Sequence, residues 1–156
     1  MLFRSNASGL QLPQNVVLKS AGNYMGLRDL YSKCQFVVVP MLPAKFACGF
    51  AVIAEAMAMG KAVIASRTDA ISDFVIEGET GFLVDIGDVA QLRNRIQWMV
   101  ENPESVNKMG RTAREMMQAK WSLSAYCQRL EAVAMEASSQ FTAGVEPYNL
   151  RAVSHI

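Results

Sequence analysis

The 156-residue sequence contains little of what most metal, redox and nucleic-acid sites require. Its one histidine, His155, lies next to the C-terminus, so a histidine-based catalytic dyad or metal site is not expected. The three cysteines, Cys34, Cys48 and Cys127, are widely spaced and lack metal-ligand spacing, which is typical of buried thiols in a reducing compartment. A formal net charge of +1 gives no electrostatic reason to expect nucleic acid or an anionic membrane surface as a partner.

Long apolar runs are also lacking. No run approaches the ~20 residues that a membrane-spanning helix needs, and the first fifteen residues lack the apolar centre of a signal peptide. We therefore predict a cytoplasmic protein without an integral membrane segment. No G-x-G-x-x-G follows a predicted strand, which argues against a dehydrogenase.

Short apolar runs alternate with segments of helical spacing along most of the chain. This alternation predicts an α/β fold, a Rossmann-like open parallel sheet of about four strands with helices on both faces and further helices at the C-terminus. Residues 1–137 are predicted to form a single domain and residues 138–156 a loosely ordered tail. The predicted strands are Asn15–Lys19, Gln35–Val39, Lys61–Ser66 and Gly81–Val84, and the predicted helices are Gly26–Lys33, Phe50–Met59, Ala70–Ile76, a helix capped by Asp88, and two that begin at NPES and WSLS.

The loop Pro40–Gly49 is the candidate ligand site, because ligands of open parallel sheets bind where strands end and helices begin. Gly49 permits close approach of the backbone, and the free N–H groups of the following helix start suit an anion. Ser66 and Thr68 follow the end of the next strand on the same edge. The candidate ligand-binding residues are Gly49, Phe50, Ala51, Glu55, Lys45, Ser66 and Thr68; no catalytic residue is assigned, and no metal ligand is predicted.

Glu55 is the one carboxylate in the apolar stretch from Phe46 to Ser66. It lies about two turns into the predicted helix, where it could accept hydrogen bonds from vicinal hydroxyls, as acidic residues do for ribose in dinucleotide sites. The same spacing fits a solvated helix residue beside alanines that allow close helix–sheet packing. Spacing alone favours the solvated helix residue, because helices that begin at a glycine are common in this fold class.

A resemblance bears on this choice. The stretch EAMAMGKAVIAS (Glu55–Ser66), followed by Asp73 and by EGETGFLVDIGD (Glu77–Asp88), resembles the C-terminal, donor-binding domain of family 4, or group 1, glycosyltransferases of the GT-B fold. Similarity extends from about Asn15 to Ala134. The order of these motifs, more than any one of them, carries the resemblance.

The resemblance implies retaining transfer of a sugar from a nucleotide-sugar to an acceptor hydroxyl, without a metal. The nucleotide-sugar is then a substrate, and no cofactor is expected. The family's diphosphate lies on the start of the helix that matches the one after Gly49, and its ribose-binding glutamate matches Glu55. Lys45, Lys19 and Arg67 are the nearest cations for the leaving phosphates.

The sequence departs from the family pattern at several points. The glutamate expected eight positions before Glu55 is replaced by Ala47, and a usual glycine pair is replaced by Asp69–Ala70. The resemblance implies that the acceptor-binding domain and the first strands of the donor domain are not part of this sequence, so the isolated chain is expected to be a weak catalyst or inactive. A separate acceptor-domain polypeptide is therefore a candidate partner.

The missing strands would leave a gap beside Gln35–Val39, and unpaired buried backbone groups are costly. Either Asn15–Lys19 closes up against that strand, or a second copy covers its edge, which predicts a homo-oligomer, most simply a dimer. The alternative function is a non-catalytic truncated module that serves oligomerisation or partner binding. A nucleotide-sugar epimerase of the same two-domain architecture is a third alternative.

Overall fold

The computed structural model describes residues 13–19, 21–42 and 49–142, with side chains up to residue 138. The described residues fall into two compact units that divide between Arg114 and Glu115. The first unit holds the sheet and the helices around it. The second holds the end of one helix and the whole of the next.

Six helices and three strands occur in the described part of the chain, and both kinds alternate as far as the third strand. In chain order they are α1 (Tyr24–Lys33), β1 (Phe36–Val39), α2 (Phe50–Ala58), β2 (Ala62–Ser66), α3 (Asp69–Ser72), β3 (Gly81–Val84), α4 (Val89–Glu101), α5 (Pro103–Trp121) and α6 (Leu123–Thr142). The predicted division after residue 137 falls inside α6, and residues 143–156 lie outside the described part. That division stays a prediction.

The three strands form one parallel sheet in the order β1-β2-β3. Val37 lies opposite Val63, and Val63 lies opposite Gly81. The register between neighbouring strands stays constant along each pair. All residues of β2 and β3 are buried. The predicted α/β, Rossmann-like class with a parallel sheet flanked by helices is confirmed.

Helices cover both faces of the sheet. On one face, Ala62 and Ile64 of β2 share a buried cluster with Met99 of α4 and Val106 of α5. Because side chains alternate along a strand, Val63 and Ala65 point to the opposite face. α2 contacts β1 and β2 and buries Ile53, Ala56 and Met57.

The end of α2 is fixed by backbone hydrogen bonds around a left-handed glycine. Gly60 has a φ of 72°, and its N–H donates to the Met57 carbonyl, while the Lys61 N–H donates to the Ala56 carbonyl, each over 2.9 Å. This pair of bonds is the Schellman arrangement, which satisfies carbonyls at a helix end and turns the chain. It brings Lys61 directly to the start of β2.

One predicted strand is wrong. Residues 15–19 form no strand, and Val17 in this segment is 70% exposed. Among the described residues no strand lies beside this segment, so its backbone groups have no ladder partner, and an isolated extended segment is not stable in water. The sheet has three described strands where about four were predicted.

The predicted helix Ala70–Ile76 is shorter in the structure. α3 ends at Ser72, and the Ile76 N–H donates to the Thr80 hydroxyl over 2.9 Å instead of continuing the helix. Val75 is 1% exposed, so the turn after α3 returns an apolar side chain to the core.

Among the described residues, no helix has both the length and the apolar character needed to cross a bilayer.

Substitution of Gly110 tests how closely α5 packs against the turn that ends α2. A Cβ added at Gly110 would lie 2.1 Å from the Gly60 carbonyl oxygen, so we expect Gly110→Ala to lower the free energy of unfolding by about 2 kcal/mol, although alanine favours helices. Urea denaturation followed by circular dichroism measures the change. Arg111→Ala, at the exposed neighbouring position, should change stability by less than about 0.5 kcal/mol. Equal stability of Gly110→Ala and wild type would contradict this close approach.

Candidate functional site

The carboxyl edge of the sheet lies where β1, β2 and β3 end, at Val39, Ser66 and Val84. α2 begins on the same side of the sheet, because it leads from the end of β1 back to the start of β2. Residues 43–48, which include the predicted phosphate contact Lys45, lie outside the described residues. The described edge therefore consists of the strand ends, Met41, Leu42 and the start of α2.

Gly49 is the N-cap of α2, and two constraints require a glycine there. Its φ is 78°, in the left-handed region. A Cβ at this position would lie 2.6 Å from the Met41 sulfur and 3.1 Å from Cγ1 of Val39. The Met41 side chain therefore occupies the space beside Gly49 where a ligand is predicted to approach the backbone. Gly49 has no side chain to cap the helix, and its carbonyl accepts from the Ile53 N–H over 3.1 Å.

The first two residues of α2 differ in their surroundings. Phe50 packs against Phe74, with ring centroids 4.4 Å apart and planes tilted by 57°. Ala51 is exposed. Phe50 thus anchors the helix start to the segment after α3, whereas Ala51 leaves the adjacent surface open.

Glu55 is the sixth residue of α2, which places it about 7.5 Å along the helix axis from Phe50 at 1.5 Å per residue. Its side chain is half-buried, and Oε2 accepts a hydrogen bond from the Tyr31 hydroxyl over 3.0 Å. Burial, and then this hydrogen bond, raise the pKa of Tyr31 well above its ordinary value. Glu55 is therefore not a freely solvated helix residue.

The two predicted hydroxyl contacts are engaged within the protein. Ser66 is 3% exposed, and its Oγ accepts from the Met41 N–H over 2.8 Å. Thr68 caps α3, and its Oγ1 accepts from the Ile71 N–H over 3.3 Å. Ser66 and Gly49 are thus brought together through Met41, whereas Thr68 positions the next helix.

The cation nearest the end of β2 also has partners. Nε of Arg67 lies 3.2 Å from Oδ1 of Asp85, and the same guanidinium donates to the Leu83 carbonyl over 3.3 Å. This pair connects the ends of β2 and β3 at the carboxyl edge. The two side chains are 48% and 65% exposed, so the pair itself adds little stability.

The sequence interpretation missed Tyr31 and Met41. Tyr31 falls within the predicted helix Gly26–Lys33 without an assigned role, yet a buried tyrosine hydroxyl needs an acceptor. Glu55, as the lone carboxylate of a neighbouring apolar helix, is the signal that could have paired the two. Met41 lies between two prolines in the sequence, and no local pattern indicates its contacts with Gly49 and Ser66.

A separate groove of about 660 Å³ lies away from these residues, and none of the predicted site residues lines it. Phe82 and Trp98 form part of its wall, with ring centroids 5.1 Å apart. Arg95 lies over the Phe82 ring and is 2.8 Å from a carboxylate oxygen of Glu77.

In the part of the chain that the structure describes, no group of three or more His, Cys, Asp or Glu side chains is placed to hold a metal ion.

Comparisons with known proteins identify relatives of this chain. The family model described as "Glycosyl transferases group 1" matches residues 3–116. Lipopolysaccharide 1,2-N-acetylglucosaminetransferase of Salmonella typhimurium is 32% identical over 106 residues, which are 67% of this chain and 27% of that protein. Sucrose-phosphate synthase of Thermosynechococcus elongatus superposes with a TM-score of 0.62 at 32% identity, over 71% of this chain and 27% of that one.

HepE of Anabaena shares the fold, with a TM-score of 0.60 at 24% identity, over 70% of this chain and 30% of its own. The chain thus spans between a quarter and a third of the length of each of these three proteins. The match of the family model covers most of the chain, including the sheet and the helices that flank it. The chain therefore belongs to the group 1 glycosyltransferase family.

Proposed function

We propose that this chain binds the nucleoside diphosphate part of an activated sugar donor for retaining glycosyl transfer. The observation that carries the proposal is the arrangement of α2, which begins at the carboxyl edge of the sheet and bears Glu55 on its second turn. Relatives support it, because HepE of Anabaena was crystallised in complex with UDP-glucose.

The start of α2 suits the diphosphate. The first N–H groups of a helix have no partner within it, and the helix dipole favours negative charge at this end. In the reaction, the same amides would stabilise the charge that develops on the departing diphosphate. Lys45 is proposed as a further phosphate contact, while Ser66 and Thr68 shape the edge through Met41 and α3. The donor is a substrate, and we propose neither a cofactor nor a metal.

Glu55 suits the ribose. Its Oε1 has no hydrogen-bond partner among the described residues, so this oxygen can accept from a ligand hydroxyl. A separation of about 7.5 Å along the helix axis allows one nucleotide to contact both the helix start and the carboxylate. Transfer to an acceptor further requires an acceptor-binding domain, on this polypeptide or on another one.

Binding of nucleoside diphosphates tests this proposal. We expect titration calorimetry to detect binding of at least one of UDP, GDP and ADP. Glu55→Ala should weaken that binding about tenfold, or about 1.4 kcal/mol, because a charge-assisted hydrogen bond is lost. Glu55→Gln, which keeps an acceptor for Tyr31, tests the charge with less risk to folding.

Glu104→Ala is the matched control, since Glu104 is an exposed carboxylate in the first turn of α5. It should bind with wild-type affinity. Absence of binding heat with all three nucleotides would overturn the proposed function.

A second candidate function is that of a non-catalytic module. The engagement of Ser66, Thr68 and Arg67 in contacts within the protein favours it, because a ligand would have to compete with these contacts. Ala47 in place of the expected glutamate points the same way. A module of this kind would show no selectivity among nucleotides in the same titrations.

We further propose that two copies associate through the open edge of β1 and the exposed apolar segment that precedes α1. β1 pairs with β2 on one side, and no described strand pairs with its other side. Val16, Val17 and Leu18, in the segment that precedes α1, are exposed by 37%, 70% and 43%. An open strand edge and an exposed apolar segment are both features that a partner chain covers.

Sedimentation velocity over a concentration series tests the association. We expect the wild type to shift from monomer to dimer as its concentration rises. Val17→Lys should weaken the dimer at least about tenfold, because it places a charge in apolar surface. Val100→Lys, at a position on α4 that is 60% exposed, should leave the dimer intact. A strictly monomeric profile at high concentration would overturn the proposed dimer. Association only with an added acceptor-domain polypeptide would also overturn it, and would identify that polypeptide as the partner.

A further inference from the structure

Glu55 is held by a residue from another helix. The Tyr31 hydroxyl of α1 donates to Oε2 of Glu55 over 3.0 Å and joins two residues that are 24 positions apart. Tyr31 is 7% exposed, so its hydroxyl depends on this acceptor within the protein. Of the two carboxylate oxygens, Oε1 is the one without a partner among the described residues.

The position of Tyr31 is itself fixed by contacts at the end of α1. The Tyr31 carbonyl accepts from the Cys34 N–H over 3.3 Å and from the Cys34 thiol over 3.1 Å. Nζ of Lys61, at the start of β2, donates to the Cys34 carbonyl over 2.8 Å and to the Ser32 carbonyl over 3.2 Å. These hydrogen bonds attach the end of α1, which carries Tyr31, to the start of the central strand β2.

We propose that Tyr31 is a positioning residue that orients Glu55 for the hydroxyl pair of the donor ribose. Its hydroxyl holds Oε2 and leaves Oε1 to accept from the ligand. A glutamate side chain has several rotatable bonds, and fixing it before the ligand arrives removes part of the entropic cost of binding. This inference rests on the proposed function, because it concerns how Glu55 meets the donor.

The protonation state of Tyr31 agrees with this role. Burial raises the pKa of the phenol, and the Glu55 carboxylate raises it further, with smaller contributions from Cys34 and Tyr24. Tyr31 therefore remains a neutral donor at pH 7. The pKa of Tyr31 in the folded state exceeds its unfolded value of about 10. The protonated phenol therefore contributes its full stabilisation of the folded state below about pH 10, and this contribution is lost as the pH rises further.

Comparison of the nucleoside diphosphate that the wild type binds, whether UDP, GDP or ADP, with its 2′,3′-dideoxy analogue separates positioning of Glu55 from general support of the fold. The wild type should bind the parent nucleotide more tightly than the dideoxy analogue. Tyr31→Phe should reduce this affinity ratio about three- to fivefold, by weakening binding of the parent nucleotide while leaving the analogue unchanged. Glu55→Ala should reduce the ratio further, and Tyr31→Phe combined with Glu55→Ala should match Glu55→Ala alone.

Tyr126→Phe is the control, since Tyr126 is 53% exposed on α6, and its affinity ratio should equal that of the wild type. If Tyr31→Phe weakens both ligands equally, or adds its full effect on top of Glu55→Ala, Tyr31 only supports the fold and the inference is overturned. An unchanged ratio in Tyr31→Phe, with a lowered ratio in Glu55→Ala, overturns the inference and leaves the proposed function intact. Absence of binding of UDP, GDP and ADP by the wild type overturns both.

Discussion

The structure depends on the complete burial of β2 between its two neighbours. All five residues of Ala62–Ser66 are buried, and the strand has a parallel partner on each side. Burial on both faces requires apolar or hydrogen-bonded side chains throughout, which the sequence AVIAS supplies. α2 and α4 both contact this strand, so the helices on the two faces take their positions from it.

The carboxyl edge is organised by bonds that start from this central strand. Ser66, its last residue, holds the Met41 backbone, and Met41 in turn occupies the space beside Gly49. The start of α2 is thereby fixed relative to β2 through a buried hydroxyl. The predicted site residues at this edge thus mostly build the surface on which a donor would lie, and Glu55 is the one with an unused acceptor oxygen among the described residues.

Much of the fold could be predicted from local patterns. The buried runs predicted β1, β2 and β3 to within one residue at each end, and Asp88 caps α4 through a 2.8 Å bond from the Gln91 N–H. These features are encoded by residues close in the sequence, where periodicity and capping act. Asn15–Lys19 has the composition of a strand but no described neighbour to pair with, and composition does not report on neighbours.

The candidate site could be predicted in part for the same reason. The glycine that begins α2 and the carboxylate on its second turn follow from the sequence. The contacts of Tyr31 with Glu55, and of Met41 with Ser66, join residues 24 and 25 positions apart. Such contacts arise from the way helices pack on the sheet, which no short window of sequence describes.

The pairing of Arg67 with Asp85 has a consequence for any anion at this edge. A phosphate that recruits the guanidinium must compete with a carboxylate 3.2 Å away, and this carboxylate would remain nearby as a repelling charge. The net attraction is therefore smaller than for an unpaired arginine. Selection of a ligand at this edge thus depends less on charge than on the backbone amides and the shape of the surface around them.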